Sequence, residues 1–226
     1  MELTDEESYE LDQDLKDFWH RKKLRKARSE KGVKYYKEGN EFYFKGQYDK
    51  ALECFEKSLE IALEDGGSEY FAESEVVKCY EVLGFTWKAK GQYDKALECF
   101  EKSLEISMAI ALKNDGSKGS KPSEVETGMY MTIGICYYKM KKYSLALDFS
   151  KKAFSIKKTG GTAYQIAKCY EALGNKKLVL YYFIKSAEIR KNDPAIDKEL
   201  LKKSVENVLR LAKELGKEKE LPNWIR

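Results

Sequence analysis

One histidine and five cysteines are the side chains of this sequence best suited to nucleophilic or metal chemistry. They are His20, Cys54, Cys79, Cys99, Cys136 and Cys169. A zinc site draws its ligands in short-spaced pairs such as C-x-x-C, and no two of these cysteines are so placed. His20 sits in the run HRKKLRKAR, so a Cys–His or Ser–His–Asp couple would have to be assembled on a highly charged segment. Carboxylates abound, but none stands apart as an acid–base dyad. A phosphate-binding loop is missing too: Gly116 and Gly119 have neither the Lys-Ser/Thr ending nor a preceding strand. The expectation is no catalytic residue, no metal ligand, no cofactor and no enzyme. An odd cysteine count without close pairs predicts reduced thiols, hence a cytoplasmic protein.

The elements that carry these side chains follow from composition and period. Hydrophobic residues are 42% of the 226 and charged residues 35%. This is too apolar for a disordered chain and too charged for a membrane protein. The opening MELTDEESYE lacks a basic n-region and an apolar h-region, which predicts no secretory signal. Prolines occur only at Pro122, Pro194 and Pro222, so long stretches are free to be helical. Net charge is +4, which gives no general attraction to nucleic acid.

Residues 46–61 read GQYDKALECFEKSLEI, and residues 91–106 read the same. This duplication decides the architecture. Before each copy stand Tyr35, Gly39, Phe42 and Tyr80, Gly84, Trp87, spaced four and three apart and therefore on one helix face. Gly46 and Gly91 suit the end of that first helix. Within each copy Ala51, Phe55, Ser58 and Ala96, Phe100, Ser103 repeat the same steps. The unit is helix, tight turn, helix, with small residues set against aromatic ones. Cys54 and Cys99 fall at matched positions, as do Cys136 and Cys169, which reads as small core residues. A third unit keeps Tyr130, Gly134, Tyr137, Tyr143, Ala146 and Ala153, with Lys141 for the turn glycine and Ser150, beside Phe149, for the large aromatic. A fourth keeps Ala167, Tyr170, Gly174, Phe183 and Ser186, with Val179 for alanine. Leu209, Ala212, Leu215 and Gly216 read as the first helix of a fifth unit whose second helix never follows.

This pattern resembles the tetratricopeptide repeat (TPR) family over roughly residues 32–193. The alanine position steps 51, 96, 146, 179 against a family period of about 34. The excess, around 63–74 and 108–125, is similar to long-helix variants such as those of kinesin light chains. The resemblance implies an all-α, right-handed α-α superhelical solenoid of about four helix pairs. Residues 1–31 would be an N-terminal charged helix, 32–193 four TPR units, and 194–226 a capping helix and tail. The segment 114–124 reads as a mobile loop.

At the N-terminus, Thr4 and Glu7 form a capping-box pattern, which starts a helix near Asp5. Leu11, Leu15, Phe18 and Trp19 give it an apolar stripe, acids come first and bases last. The basic run fits a nuclear-import or nucleic-acid patch by residue type. By context it fits a solvated helix face, with Asp17 pairing to Arg21, and this second reading is preferred. At the other end, Pro194 suits a first helical turn, and Leu200, Leu201, Val205, Val208 and Leu209 offer an apolar face for a cap. Trp224 and Ile225 are expected to pack on that cap, the alternative being an anchor for another protein.

The resemblance also implies a groove lined by the first helices of successive units. Its lining would be Tyr36, Asn40, Tyr43, Glu81, Phe85, Lys88, Met131, Ile135, Tyr138, Tyr164, Lys168 and Glu171. Tyrosines of this kind supply rigid area plus a hydroxyl. One TPR subclass clamps chaperone C-terminal carboxylates with Lys, Asn and Arg. Here Asn40 matches its first Asn, whereas Tyr36, Val82, Gly128 and Thr132 depart from it, so that ligand is not expected. The function implied is a scaffold or adaptor that binds another protein or a peptide. The alternatives are a peptide-sensing regulator, to which residues 130–156 are loosely similar, and a secretion or assembly chaperone of TPR type. No membrane or nucleic-acid partner is expected, and a homodimer is compatible with this reading.

Overall fold

The computed structural model describes residues 5–64, 73–115, 124–193, 195 and 198–225; side chains at 5–15, 17, 112, 114, 115, 124 and 125 are outside the description. Among the described residues every regular element is helical. A first compact unit, residues 1–117, holds α1 (Asp5–Phe44), α2 (Tyr48–Glu64), α3 (Glu73–Ala89) and α4 (Tyr93–Asp115). A second, residues 118–226, holds α5 (Glu124–Lys139), α6 (Tyr143–Ile156), α7 (Gly160–Ala172), α8 (Lys176–Lys191) and α9 (Lys198–Leu215), then a 3-10 turn at Glu218–Glu220. Within each unit every helix packs on the next in sequence, so the expected helix–turn–helix pairs are present.

The pairs close because small residues let helices approach. A β-carbon added at Gly39 would stand 2.5 Å from the Phe55 ring, and one at Gly84 2.6 Å from Phe100. Phe55, Phe100, Ala51 and Ala96 are fully buried between the paired helices. The serine that recurs in three of the four second helices has a further task. Ser58, Ser103 and Ser186 donate to the carbonyls of Gly32, Val77 and Gly160, each 26 residues earlier, at 3.0, 3.4 and 2.7 Å. A fully buried hydroxyl needs such a partner, and here it ties the end of the second helix to the first. The third unit has Ala153 at this position and departs at the aromatic position as well. Ser150 faces Gly134, and Phe149 turns aside to stack on Tyr137 at 5.4 Å.

The turns between paired helices share one geometry. Gly46 N–H donates to Tyr43 O and Gln47 N–H to Phe42 O, both at 2.9 Å, with Gly46 at φ +73°. This left-handed Schellman closure recurs at Gly91, Gly174 and Gly216. It also recurs at Lys141, whose φ is +61° despite its β-carbon.

The excess length in the second pair is partly helix, as the likeness to long-helix variants implies, since α4 runs to Asp115 and takes in Met108–Lys113. Other expectations need correction. The proposed loop 114–124 begins in α4 and ends in α5; residues 116–123 lie outside the described residues, as do Thr4 and Pro194. The Asp17 side chain in the expected Arg21 pair is likewise undescribed. Cys136 and Cys169 are core as expected; Cys54 and Cys99 are only half-buried, and Cys99 packs against the cluster of Ala51, Leu52, Phe55 and Leu83. On α9, Leu200 and Leu209 are exposed; the buried line is Ser204, Val208, Leu211 and Ala212. The tail folds back: Leu221 and Ile225 join Val208, Leu211 and Phe183 in one cluster, and Trp224 packs beside them under Lys191 Nζ, 4.5 Å from the ring centre.

Candidate functional site

All twelve residues named for a groove are half-buried, neither core nor fully solvated. In the first unit the face of α1 and α3 brings together Tyr36, Asn40, Tyr43, Glu81, Phe85 and Lys88. Each aromatic has one side anchored. Tyr36 packs on Phe55 with ring centres 5.8 Å apart, and Phe85 meets Phe100 edge-on at 5.2 Å. The other side of this face is open. Asn40, Tyr43, Phe44, Phe55, Val82 and Phe85 line a cavity of about 150 Å³. One turn along, Val33, Tyr36, Ser58, Glu75, Lys78 and Cys79 line another of about 190 Å³. Val33 and Lys78 were missed in the sequence, yet each lies three residues before a named position, on the same helix face.

The electrostatics of this face are uneven. Lys78 Nζ holds Glu75 at 3.0 Å. Burial pushes the Glu81 carboxyl up, with Lys78 offsetting this in part, and no ion pair holds Glu81 among the described residues. Asn40 hydrogen-bonds Tyr36, whose hydroxyl is also raised by burial. Lys88 Nζ lies 5.1 Å above the Phe85 ring. An apolar cavity thus shares its helix, α3, with a carboxylate that is only partly compensated.

The second unit places Met131, Ile135 and Tyr138 on α5 and Tyr164, Lys168 and Glu171 on α7. Its charges are already matched. Lys168 Nζ pairs with Glu171, and Arg210 reaches from α9 to the same carboxylate at 2.7 Å. Burial pushes Glu171 up, but the hydrogen bonds from Lys168 and Arg210 outweigh it and hold its carboxyl below the usual range. Arg210, 39 residues from Glu171, carried no signal in the sequence. Of the carboxylate-clamp positions, Gly128 and Thr132 bond each other, Thr132 Oγ1 donating to Gly128 O at 2.9 Å.

The chemistry-bearing side chains stay apart. His20 is exposed on α1, and among the described residues no three of His, Cys, Asp and Glu gather as a metal site. Burial pushes the thiols of Cys99 and Cys169 up to about 11, so neither is a thiolate near neutrality.

A family model described as tetratricopeptide repeat matches residues 42–109, and a second matches 127–159. The chain is a tetratricopeptide-repeat protein. Both matches coincide with helix pairs whose small-to-aromatic packing is described above. Solved structures agree on the fold of this TPR protein. BtubC (BKLC) from P. vanneervenii is 17% identical with a TM-score of 0.66, over 80% of this chain and 71% of that one. A putative kinesin light chain of Podosopora anserina with TPR-like repeats is 14% identical with a TM-score of 0.63, over 85% and 90%. YrrB, a TPR protein with an unusual peptide-binding site, is 18% identical with a TM-score of 0.52, over 83% and 79%. At such identities the likeness is one of fold. No curated protein matches the sequence. No helix of the described residues is long and apolar enough to cross a membrane.

Proposed function

We propose that this TPR protein is a protein-interaction scaffold that holds a segment of another protein on the α1–α3 face of its first unit. One observation carries the reading: the apolar cavity of Tyr43, Phe44, Val82 and Phe85 lies on the helix that carries Glu81, a half-buried carboxylate with no ion pair among the described residues, its nearest named cation, Lys78, being held by Glu75. An apolar or aromatic anchor followed by lysine or arginine fits both features, since an unpaired half-buried charge gains most from a partner that arrives with the opposite sign. The second unit, with Lys168, Glu171 and Arg210 paired among themselves, offers less to a charged ligand. YrrB's peptide-binding site supports a peptide ligand by likeness of fold.

Selection from a random peptide library tests this. The expected consensus is an apolar residue near a basic one, with affinity lost in Glu81→Lys and weakened in Phe85→Ser. Affinity for the basic peptide should fall as pH is lowered through the raised Glu81 pKa, because the protonated acid no longer pairs with a cation. An acidic consensus, or full binding by Glu81→Lys, would sink the proposal.

A further inference from the structure

The N-terminal half of α1 has the composition of an interface, and its described side chains lie mostly exposed. Arg28 pairs with Glu64, the last residue of α2, at 3.5 Å. Upstream of Arg28, the described side chains are exposed but for a partly covered Lys22, with Phe18 at 52%, Trp19 at 61% and Leu24 at 54%. Charge divides this stretch into two halves. Residues 5–17 contain seven acids and Lys16, a net −6, while residues 18–28 contain six bases and no acid, a net +6.

We propose that residues 5–28 of α1 pair antiparallel with the same helix of a second copy. Leu11, Leu15, Phe18 and Lys22 step by four, three and four, the spacing of a coiled-coil seam. A two-fold axis between Lys16 and Asp17 brings Leu15 to the level of the partner's Phe18, and Leu11 to that of the partner's Lys22. The same axis sets the flanking positions so that Asp14 meets the partner's Arg21 and Asp5 meets the partner's Lys26. Each pair occurs twice by symmetry. The contact runs about 36 Å at 1.5 Å per residue. Charge selects this occupant over others. A nucleic acid or an anionic bilayer is attracted by residues 18–28 and repelled by 5–17, whereas a second antiparallel copy matches both halves.

The test is the oligomeric state of the full chain by sedimentation equilibrium from about 1 to 100 µM, a range that covers typical weak to moderate dimers. The wild type should dimerise, less tightly as salt rises. The variant R21E/K26E turns four attractions into four repulsions, as does D5K/D14K. Each alone should dimerise at least tenfold more weakly, with unchanged helicity by circular dichroism. Mixed one to one, the two variants restore all four attractions and should form a heterodimer. A monomeric wild type at 100 µM overturns the proposal, as does a dimer indifferent to both variants or a mixture that stays monomeric. Salt-dependent capture of single-stranded RNA by a monomeric wild type would overturn it in favour of a nucleic-acid patch.

Discussion

Lys141 shows how closely the turn geometry is prescribed. Its four counterparts, Gly46, Gly91, Gly174 and Gly216, reach left-handed φ with no β-carbon to crowd the following carbonyl. Lys141 adopts φ +61° regardless, because Lys141 N–H to Tyr138 O and Lys142 N–H to Tyr137 O, at 3.0 and 2.9 Å, close the helix end in the same way. Replacing Lys141 by glycine should therefore stabilise the protein by about 1 kcal/mol, read as a higher urea midpoint with an unchanged slope. This position was legible in the sequence as a substitution at a known place in the repeat. The exchange of Ser150 and Phe149 was legible only as a mismatch. Its meaning, a ring moved onto Tyr137, depends on where the neighbouring helix puts its own aromatic.

At the scale of elements, α1 and α9 differ from a plain helix pair in opposite ways. α1 continues unbroken through Gly32, so the charged segment and the first repeat helix form one element. A single glycine inside a helix costs only about 1 kcal/mol, and its carbonyl accepts the Ser58 hydroxyl. α9 ends in the turn of a first repeat helix, but the chain then returns on it. Leu221 and Ile225 fill the place a further helix would take, which is how a terminal repeat shields its core. Ile225→Ala should cost about 2–4 kcal/mol, the usual range for truncating a buried isoleucine. Denaturation followed at Trp224, which packs on the same cluster, would report the loss. An unchanged midpoint would show that the tail is not part of the core.

On the scale of the whole molecule, each of the two units carries its own core. Phe55, Leu52 and Leu83 belong to one, and Phe183, Val208 and Leu211 to the other. Repeat proteins gain stability chiefly from neighbouring helices, so such a unit needs no distant contact. A fragment spanning 118–226, which includes the α9 cap, should fold alone. Its expected signature is a helical circular dichroism spectrum and a cooperative thermal transition; a gradual, non-cooperative loss of helix would contradict it.

The repeated residues by themselves determined the helix pairs and their turns, and the TPR resemblance carried onto them supplied the candidate face in each unit. A small residue opposite an aromatic at steps of three and four has few ways to pack, so local periodicity suffices. Which charges on that face are already satisfied was decided only by tertiary structure. Lys168 and Glu171 look as available in the sequence as Glu81 does, yet Arg210 arrives from α9 to complete their set, while among the described residues Glu81 has no ion pair and Lys78 is engaged with Glu75. Charge pairing depends on distance in space, and between residues 39 apart in the chain that distance is set by helix packing rather than by spacing.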